Sequence, residues 1–467
     1  MKICVLLPDY STSAIDYQLY DPPRNLAKIL PNHQVDTVFL HKLTTYKQLK
    51  NLSGKGYQIF VNLCEAYLEW DVPGIDVIYF LELLNLPFTG PSAALYDPSK
   101  EIMKLVAFYQ NVSTPAYIIV KANETYQSNK TNLKFPLFIK PAKAGDSLGI
   151  DEHSLVCTDE ALQKQLTIIQ NEYDTILIEE YINGREFTVL VAANADGKST
   201  RAFQPIEYIF PKNQPYKTYA LKTSELHNDA NISLQDQQLS DEIKKAAIGI
   251  FEGFGGVGYA RLDFRMNEDG KLFFLEINFT CSVFYENGFE GSADFILAYD
   301  GIGKQGFLEH IIQEGIARHS RQQKKYRLQN NAISGFGIYA NSAIAKGEII
   351  FKGEEMAQRI VTKKYVEENW SDAEKLTFRK YAYPLGKEVY LLWGNQPQDW
   401  APQNHSCAPN TEFIGLNVHA TRAIQQDEEL TLDYAKFLDN ETEPFQCLCG
   451  SNNCRGRIIG DSLKRFE

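Results

Sequence analysis

Cys447-Leu448-Cys449-Gly450-Ser451-Asn452-Asn453-Cys454 sets three cysteines in the spacing C-x-C-x4-C, and Asn404-His405-Ser406-Cys407 supplies a fourth forty residues upstream. Four of the chain's eight cysteines lie in these two stretches, and no other stretch has two together. Tetrahedral Zn²⁺ takes four soft ligands, so count and spacing read as a closed structural zinc site. The C-terminal segment has no long apolar run and would not fold alone. A metal would staple it to a body that supplies the fourth thiolate. Thiols left reduced, or paired in disulfides, are the alternative.

Outward from this segment, 467 residues are too many for one core and point to two to four domains. The 44% hydrophobic and 23% charged content is that of an ordinary globular protein. A net charge of -12 and a pI near 5.3 disfavour direct nucleic-acid binding, which needs a cationic surface. No run approaches the eighteen or so apolar residues of a membrane span. Met1-Lys2-Ile3-Cys4-Val5-Leu6-Leu7-Pro8 lacks the core and cleavage site of a signal peptide and reads as a first buried strand. Reduced cysteines fit a cytoplasmic location. The basic run Arg318, Arg321, Lys324, Lys325 and Arg327 reads as a solvated linker, with a docking patch for an acidic partner as the alternative.

Apolar runs near 2–7, 35–40 and 58–63 predict strands of a small α/β layer over residues 1–95. Further strands are expected at Phe135–Lys140 and Thr175–Ile182 within 96–185. Others are expected at Phe187–Ala193 and Leu272–Ile277 within 186–315, with a helix over Ser240–Phe251. After the basic linker, 316–329, residues 330–440 are rich in short strands with one helical stretch near Thr362–Asn369, and 441–467 form the cysteine-bearing tail. The fold class is thus an α/β (α+β) body followed by a mainly-β domain with a zinc-stapled end.

Glu276 and Asn278 are two apart on a strand and leave it on one face; Asp263 lies on the preceding strand across the turn Asn267-Glu268-Asp269-Gly270. A hairpin would gather these hard oxygen ligands, a set suited to Mg²⁺ held with nucleotide phosphates. Arg261 points the same way and would neutralise charge on a transferring phosphoryl group. Upstream, Lys140 offers an ammonium to a phosphate. The loop Ala144-Gly145-Asp146-Ser147-Leu148-Gly149 offers backbone N–H groups and the Ser147 hydroxyl, without the Gly-Lys-Ser/Thr ending of a P-loop. Glu179-Glu180-Tyr181-Ile182 and Gly184-Arg185-Glu186 offer backbone and carboxylates to a purine edge and a ribose.

These stretches, with Leu86-Pro87-Phe88-Thr89-Gly90, resemble the ATP-grasp superfamily over about residues 58–310, and within it the D-alanine–D-alanine ligase-like enzymes. The resemblance implies three ATP-grasp parts at 1–95, 96–185 and 186–315. Lys140 and Ser147 would meet ATP phosphates, and Glu179, Tyr181 and Ile182 would line the adenine pocket. Glu186 would hold the ribose; Asp263, Glu276 and Asn278 would ligate Mg²⁺, with Arg261 supporting the transition state. Such enzymes phosphorylate a carboxylate and let an amine attack the acyl phosphate. The acceptor end departs from the family: Cys281 and Ser282 stand where a Pro-Gly pair is usual, and Pro8-Asp9-Tyr10-Ser11-Thr12 replaces a Gly-rich stretch with its glutamate. Cys281, with no histidine base argued near it, reads as structural.

In the last third, Gly335-Phe336-Gly337 allows close backbone approach to a ligand, and Glu429-Leu430-Thr431-Leu432-Asp433-Tyr434 is a strand ending in a phenol able to orient an amine. With Asn404-His405-Ser406-Cys407-x-Pro409-Asn410 and the cysteine segment, these resemble a SET-domain lysine methyltransferase with a post-SET zinc motif, over about 330–460. The resemblance implies that Phe336, Gly337, Asn404 and His405 bind S-adenosylmethionine. Tyr434 would be the catalytic-channel tyrosine, Asp433 a buttress, and Cys407, Cys447, Cys449 and Cys454 the Zn²⁺ ligands. Trp393, Trp400 and Tyr390 are read as core packing rather than channel lining. The expected partners are a protein lysine or small amine and a small carboxylate, with a homodimer through the ligase-like part allowed. Three functions follow: a bifunctional enzyme, a methyltransferase whose front part binds nucleotide or recruits substrate, and a non-catalytic interaction protein.

Overall fold

The structure is a computed structural model and describes residues 1–11, 13, 21–122, 124, 126, 131–143, 148–210, 230–331, 335–394, 403–439 and 444–460. Two compact units divide the chain, Met1–Gln322 and Gln323–Glu467.

In the first unit, β1 (Lys2–Pro8) lies between β2 (Gln34–Leu40) and β3 (Ile59–Asn62), all parallel. Its alternation feeds two cores: Ile3, Val5 and Leu7 enter one cluster, Cys4 and Leu6 the other. A strand buried on both faces needs the continuous apolar run seen here. A four-stranded sheet follows, in the order β4 (Tyr117–Lys121), β7 (Thr175–Glu180), β5 (Leu137–Pro141), β6 (Leu155–Val156). The third sheet runs β11 (Asn231–Ser233), β10 (Ile206–Tyr208), β8 (Arg185–Ala193), β12 (Tyr259–Met266), β13 (Leu272–Asn278), with β9 (Thr200–Ala202) on β8.

Phe187, Val189 and Val191 of β8 and Ala260, Leu262 and Phe264 of β12 pack under the helix Gln237–Gly253, through Ile243, Ala247, Ile250 and Phe251. The alternate residues of β12, namely Arg261, Asp263 and Arg265, therefore face the other way. Between Asp263↔Glu276 and Phe264↔Phe274 the register shifts, leaving Leu275 as an extra residue. This β-bulge resets the side-chain parity of β13. Phe274 and Ile277 both enter the core although three apart, and Glu276 and Asn278 stay on the face of Asp263.

The basic run is only in part solvated: Arg321 and Lys324 are exposed, and the others are engaged by the fold. The helix Gly303–Gln322 carries Arg318 into the first unit, where Nη1 donates to Gly90 O at 2.9 Å and Nη2 to Phe88 O at 2.6 Å. In the second unit Lys325 pairs with Glu348, and Arg327 with Asp427 at 2.6 Å. Neighbouring carbonyls and carboxylates thus take up the charge of Arg318, Lys325 and Arg327.

The second unit is built from short strands. One sheet runs β14 (Tyr326–Asn331), β15 (Gly335–Ala340), β23 (Glu429–Leu432), β20 (Asn404–His405), the last pair being parallel. A second runs β16 (Ile349–Phe351), β22 (Asn417–Ala420), β21 (Thr411–Ile414), and a third β17 (Gln358–Thr362), β19 (Val389–Trp393), β18 (Tyr383–Gly386). Tyr390 and Trp393 pack in two separate clusters, and Trp393 Nε1 donates to Gly353 O at 2.8 Å. Both belong to the core; Trp400 lies outside the described residues. The helix Lys363–Asn369 is joined by an unforeseen one, Asp372–Tyr381, whose Ser371–Glu374 capping box was legible as S-x-x-E. Among the described residues no helix is long and apolar enough to cross a membrane.

Candidate functional site

A cleft in the first unit is lined by Lys140, Glu179, Tyr181, Ile182, Glu186, Arg261, Asp263 and Glu276, eight residues singled out in the sequence. Asn278 lines an adjoining hollow that shares Glu276. Ser147 lies outside the described residues.

At one end Glu179 is held between two ammoniums: Oε1 is 2.5 Å from Lys140 Nζ and Oε2 2.7 Å from Lys104 Nζ. Burial alone would raise the Glu179 carboxyl, but Lys104 and Lys140 outweigh it and bring it down to about 2. Lys104, sharing that one carboxylate, is itself lowered by burial. Lys100 Nζ lies 3.5 Å from Glu276 Oε2. Both lysines come from the helix Lys100–Tyr109, whose buried face is Lys100, Met103, Lys104 and Ala107. The sequence reading missed them, because Ile102, Leu105 and Phe108 make the opposite, exposed face of this helix the more apolar one.

Asp263 Oδ2 accepts from Arg261 Nη2 at 3.2 Å, whereas Asp263 Oδ1 is buried with no hydrogen-bond partner. Asn278 Nδ2 lies 3.5 Å from Glu276 Oε1. An orphaned carboxylate oxygen beside a second carboxylate and an amide fits a hard divalent cation. Arg265, also missed, stacks 4.6 Å over the Tyr181 ring, donates to Ile182 O at 3.0 Å and faces Glu186 Oε2 at 3.3 Å. It continues the every-second-residue series of Arg261 and Asp263.

Where the sequence departs from the ligase pattern, at Cys281-Ser282, the surroundings are polar and closely tied. Ser282 Oγ donates to Glu65 Oε2 at 2.6 Å, and Glu65 Oε1 lies 3.3 Å from Nη1 of the buried Arg24. Arg24 Nη2 meets Asp21 Oδ1 at 2.8 Å, which also accepts from the Tyr285 hydroxyl at 2.7 Å. Asp21 and Arg24 are three apart, as are Ser282 and Tyr285, but these two pairs and Glu65 come from distant segments, so the sequence held no sign of the network. Cys281 is buried, and that burial pushes its thiol up to about 12, against the nearby Arg261. Such burial fits a structural cysteine.

In the second unit Gly337, Asn404 and Glu429 meet. A Cβ on Gly337 would stand 2.3 Å from Glu429 Oε1 and 2.9 Å from Asn404 Nδ2. Asn404 Nδ2 donates to Glu429 Oε1 at 2.7 Å and to Phe336 O at 2.9 Å, and the Phe336 ring is exposed. His405 Nδ1 accepts the Tyr434 N–H at 3.1 Å, which leaves Nε2 to donate to Cys407 Sγ at 3.4 Å. Both ring nitrogens are thereby engaged, and burial lowers the His405 pKa despite Asp433. The Tyr434 hydroxyl donates to Gln403 O.

The ligand sulfurs of Cys407, Cys447, Cys449 and Cys454 all lie within 4.8 Å of one another, with Cys407 and Cys447 at 3.8 Å. Tetrahedral bonds of about 2.3 Å place sulfurs about 3.8 Å apart, whereas a disulfide needs about 2.05 Å. All four are free thiols, and the set fits Zn²⁺.

Residues 106–284 match the family model described as D-ala D-ala ligase C-terminus, and residues 335–435 match that of the SET domain. The D-alanine--D-alanine ligase of Aquifex aeolicus is 28% identical over 244 residues, covering 51% of this chain and 78% of that protein. That of Bacillus cytotoxicus is 29% identical over 266 residues, covering 53% and 68%. The solved D-alanine-D-alanine ligase from Coxiella burnetii superposes with a TM-score of 0.50 at 18% identity, covering 69% of this chain and 97% of that one, which is a likeness of fold.

Proposed function

Since the chain joins an ATP-grasp, D-alanine–D-alanine-ligase-like domain to a SET domain with a post-SET cysteine cluster able to chelate a metal, we propose that it is an enzyme with two activities. The first is ATP-dependent ligation of a carboxylate to an amine; the second is methyl transfer from S-adenosylmethionine to a lysine amine. The observation that carries the ligase reading is one cleft lined by Lys140 and Arg261 together with the carboxylates of Asp263 and Glu276.

In the ligase unit Lys140 would hold the phosphates, with Glu179 keeping it and the buried Lys104 in place. Tyr181 and Ile182 would flank the base and Glu186 the ribose. Mg²⁺, held by Asp263, Glu276 and Asn278, would supply charge neutralisation at the phosphates. Arg261 would lie against the transferring phosphoryl group as the substrate carboxylate attacks phosphorus and ADP leaves. The amine then attacks the acyl carbon, and phosphate departs. The Ser282–Glu65–Arg24 network differs from a Pro-Gly acceptor end, so a substrate pair other than two D-alanines is proposed.

In the SET unit the amine lone pair would attack the methyl carbon in line with the breaking carbon–sulfur bond. Tyr434, fixed by His405 at its N–H, would align that amine; Asn404, Phe336 and Gly337 would shape the donor groove. Zn²⁺ on the four cysteines would supply closure of the tail. Desolvation favours the neutral lysine that this step requires.

The test is made on one purified chain: ADP release across a panel of carboxylic and amino acids, and methyl transfer to peptides and small amines. Amine-dependent ADP release together with methyl transfer is expected. ATP binding with no ADP release across the panel would favour a second reading, which the tied acceptor end supports: a methyltransferase whose front unit only binds nucleotide or recruits substrate.

A further inference from the structure

Arg455, directly after the last cysteine, spans the sulfur cluster and the turn that carries Tyr434. Its main-chain N–H lies 3.4 Å from Cys407 Sγ and its Nε 3.5 Å from the same sulfur, while Nη2 donates to Asp433 Oδ1. Asp433 is the N-cap of the short helical turn Tyr434–Lys436, and its Oδ1 accepts the Ala435 N–H at 3.2 Å. The turn is closed by bonds from Lys436 N to Asp433 O at 3.1 Å, and from Phe437 N and Leu438 N to Tyr434 O at 3.2 and 2.9 Å.

One planar guanidinium thus reaches a ligand sulfur with one nitrogen and a capping carboxylate with another. Lysine, a single point charge, could serve only one of these. Four thiolates on a divalent cation leave a net negative centre, and Arg455 is a guanidinium seated against it. Without metal the four sulfurs lose what gathers them, and Arg455 loses its fixed point at Cys407.

We propose that Arg455 is a positioning residue that transmits closure of the metal cluster to Tyr434: held on Cys407, it pins Asp433 and so orders the turn bearing the tyrosine. The proposal rests on the reading of the four cysteines as a metal site and of Tyr434 as the amine-aligning phenol. It makes metal occupancy a condition for an ordered methyl-transfer site, beyond holding the tail in place.

The test is amide hydrogen exchange of Ala435–Leu438 in the full chain, zinc-loaded and after zinc removal, for wild type, Arg455→Ala and Arg455→Lys. In wild type, removing zinc should speed exchange about tenfold, the scale of losing a charge-assisted hydrogen bond. Zinc-loaded R455A should already exchange at that faster rate and change little on metal removal, while R455K should resemble R455A. Zinc-loaded R455A exchanging within about twofold of wild type would overturn the proposal, as would full protection in R455K. If R455A no longer loads zinc, Asp433→Asn tests the same link with the sulfur contacts kept. It should also exchange about tenfold faster with zinc bound, and wild-type protection there would overturn the proposal. Failure of the underlying readings is separately visible, as wild type that takes up no zinc, or that is zinc-loaded and protected yet transfers no methyl group.

Discussion

Glu179 and Lys104 form an ion pair 2.7 Å long whose side chains are 4% and 1% exposed, and Lys140 completes it from the other oxygen. A carboxylate between two cations is stabilised in its charged form, whereas each lysine has only a share of one anion. Replacing Glu179 by Gln would leave two buried ammoniums without their counter-charge, at a cost of about 3–5 kcal/mol. The pH dependence has a definite sign. The folded carboxyl is held down to about 2 from the usual 4.5, so the unfolded chain binds the proton first as pH falls. The stabilisation, roughly 3 kcal/mol, is complete above about pH 5 and is lost as pH drops towards 2. Denaturant unfolding of wild type and Glu179→Gln at pH 7, 4 and 2.5 should show the stability gap narrowing in that order. A gap that widens with acid would refute this assignment.

Glu276 meets Lys100 at 3.5 Å and stands across from Asp263, whose Oδ1 is otherwise unsatisfied. Glu276→Gln keeps size and shape but removes the charge that a hard cation needs. ATP turnover should fall by roughly a hundredfold or more, with methyl transfer by the same preparation unchanged. Parallel ADP-release and methyl-transfer assays check both halves of this statement.

How far the sequence reached is clearest on β12 and β13. Period-two alternation placed Asp263, Glu276 and Asn278 on one face, and all three do share it. The reason differs in part, because the bulge at Leu275 lets Phe274 turn into the core while Glu276 does not. Unbroken alternation would have put Phe274 in the cleft, and no residue type announces a bulge. The facing of the helix Lys100–Tyr109 was not readable from its apolar pattern: its lysines fall on the buried stripe, while Ile102, Leu105 and Phe108 are exposed. An apolar-face rule applied without the lysines' partners points that helix the wrong way round. Glu65, Arg24 and Ser282 come from three distant segments and meet only through tertiary folding. Arg318 was misread because five basic residues in ten look solvated until the carbonyls of Phe88 and Gly90 are in place. The cysteine cluster was the most legible feature, since ligand count and spacing are themselves the physical constraint.

Tyr434→Phe and zinc removal should separate chemistry from closure. The hydroxyl donates to Gln403 O and plays no part in the sulfur cluster. The Phe variant should therefore keep its full zinc content while methyl transfer drops, by about tenfold or more if the phenol aligns the amine. A zinc-selective chelator should abolish methyl transfer in wild type and leave nucleotide binding by the first unit intact. Metal analysis beside both assays checks this, and a Tyr434→Phe protein that has lost zinc would contradict it.

Gly337→Ala tests the donor groove through a steric argument. The added methyl would meet Glu429 Oε1 at 2.3 Å and Asn404 Nδ2 at 2.9 Å, well inside contact distance. A carboxylate at the end of a flexible side chain can often move aside cheaply, but here Asn404 and Asn331 both donate to it, at 2.7 and 2.8 Å. Moving Glu429 breaks those bonds and frees Asn404 from the Phe336 carbonyl beside it. A stability loss of about 1–3 kcal/mol is expected, with S-adenosylmethionine bound roughly tenfold more weakly, since one lost hydrogen bond of about 1.4 kcal/mol is a tenfold change. Calorimetric titration with the methyl donor, alongside denaturant melts, measures both. Undiminished affinity in a folded Gly337→Ala protein would show that this corner does not form the groove.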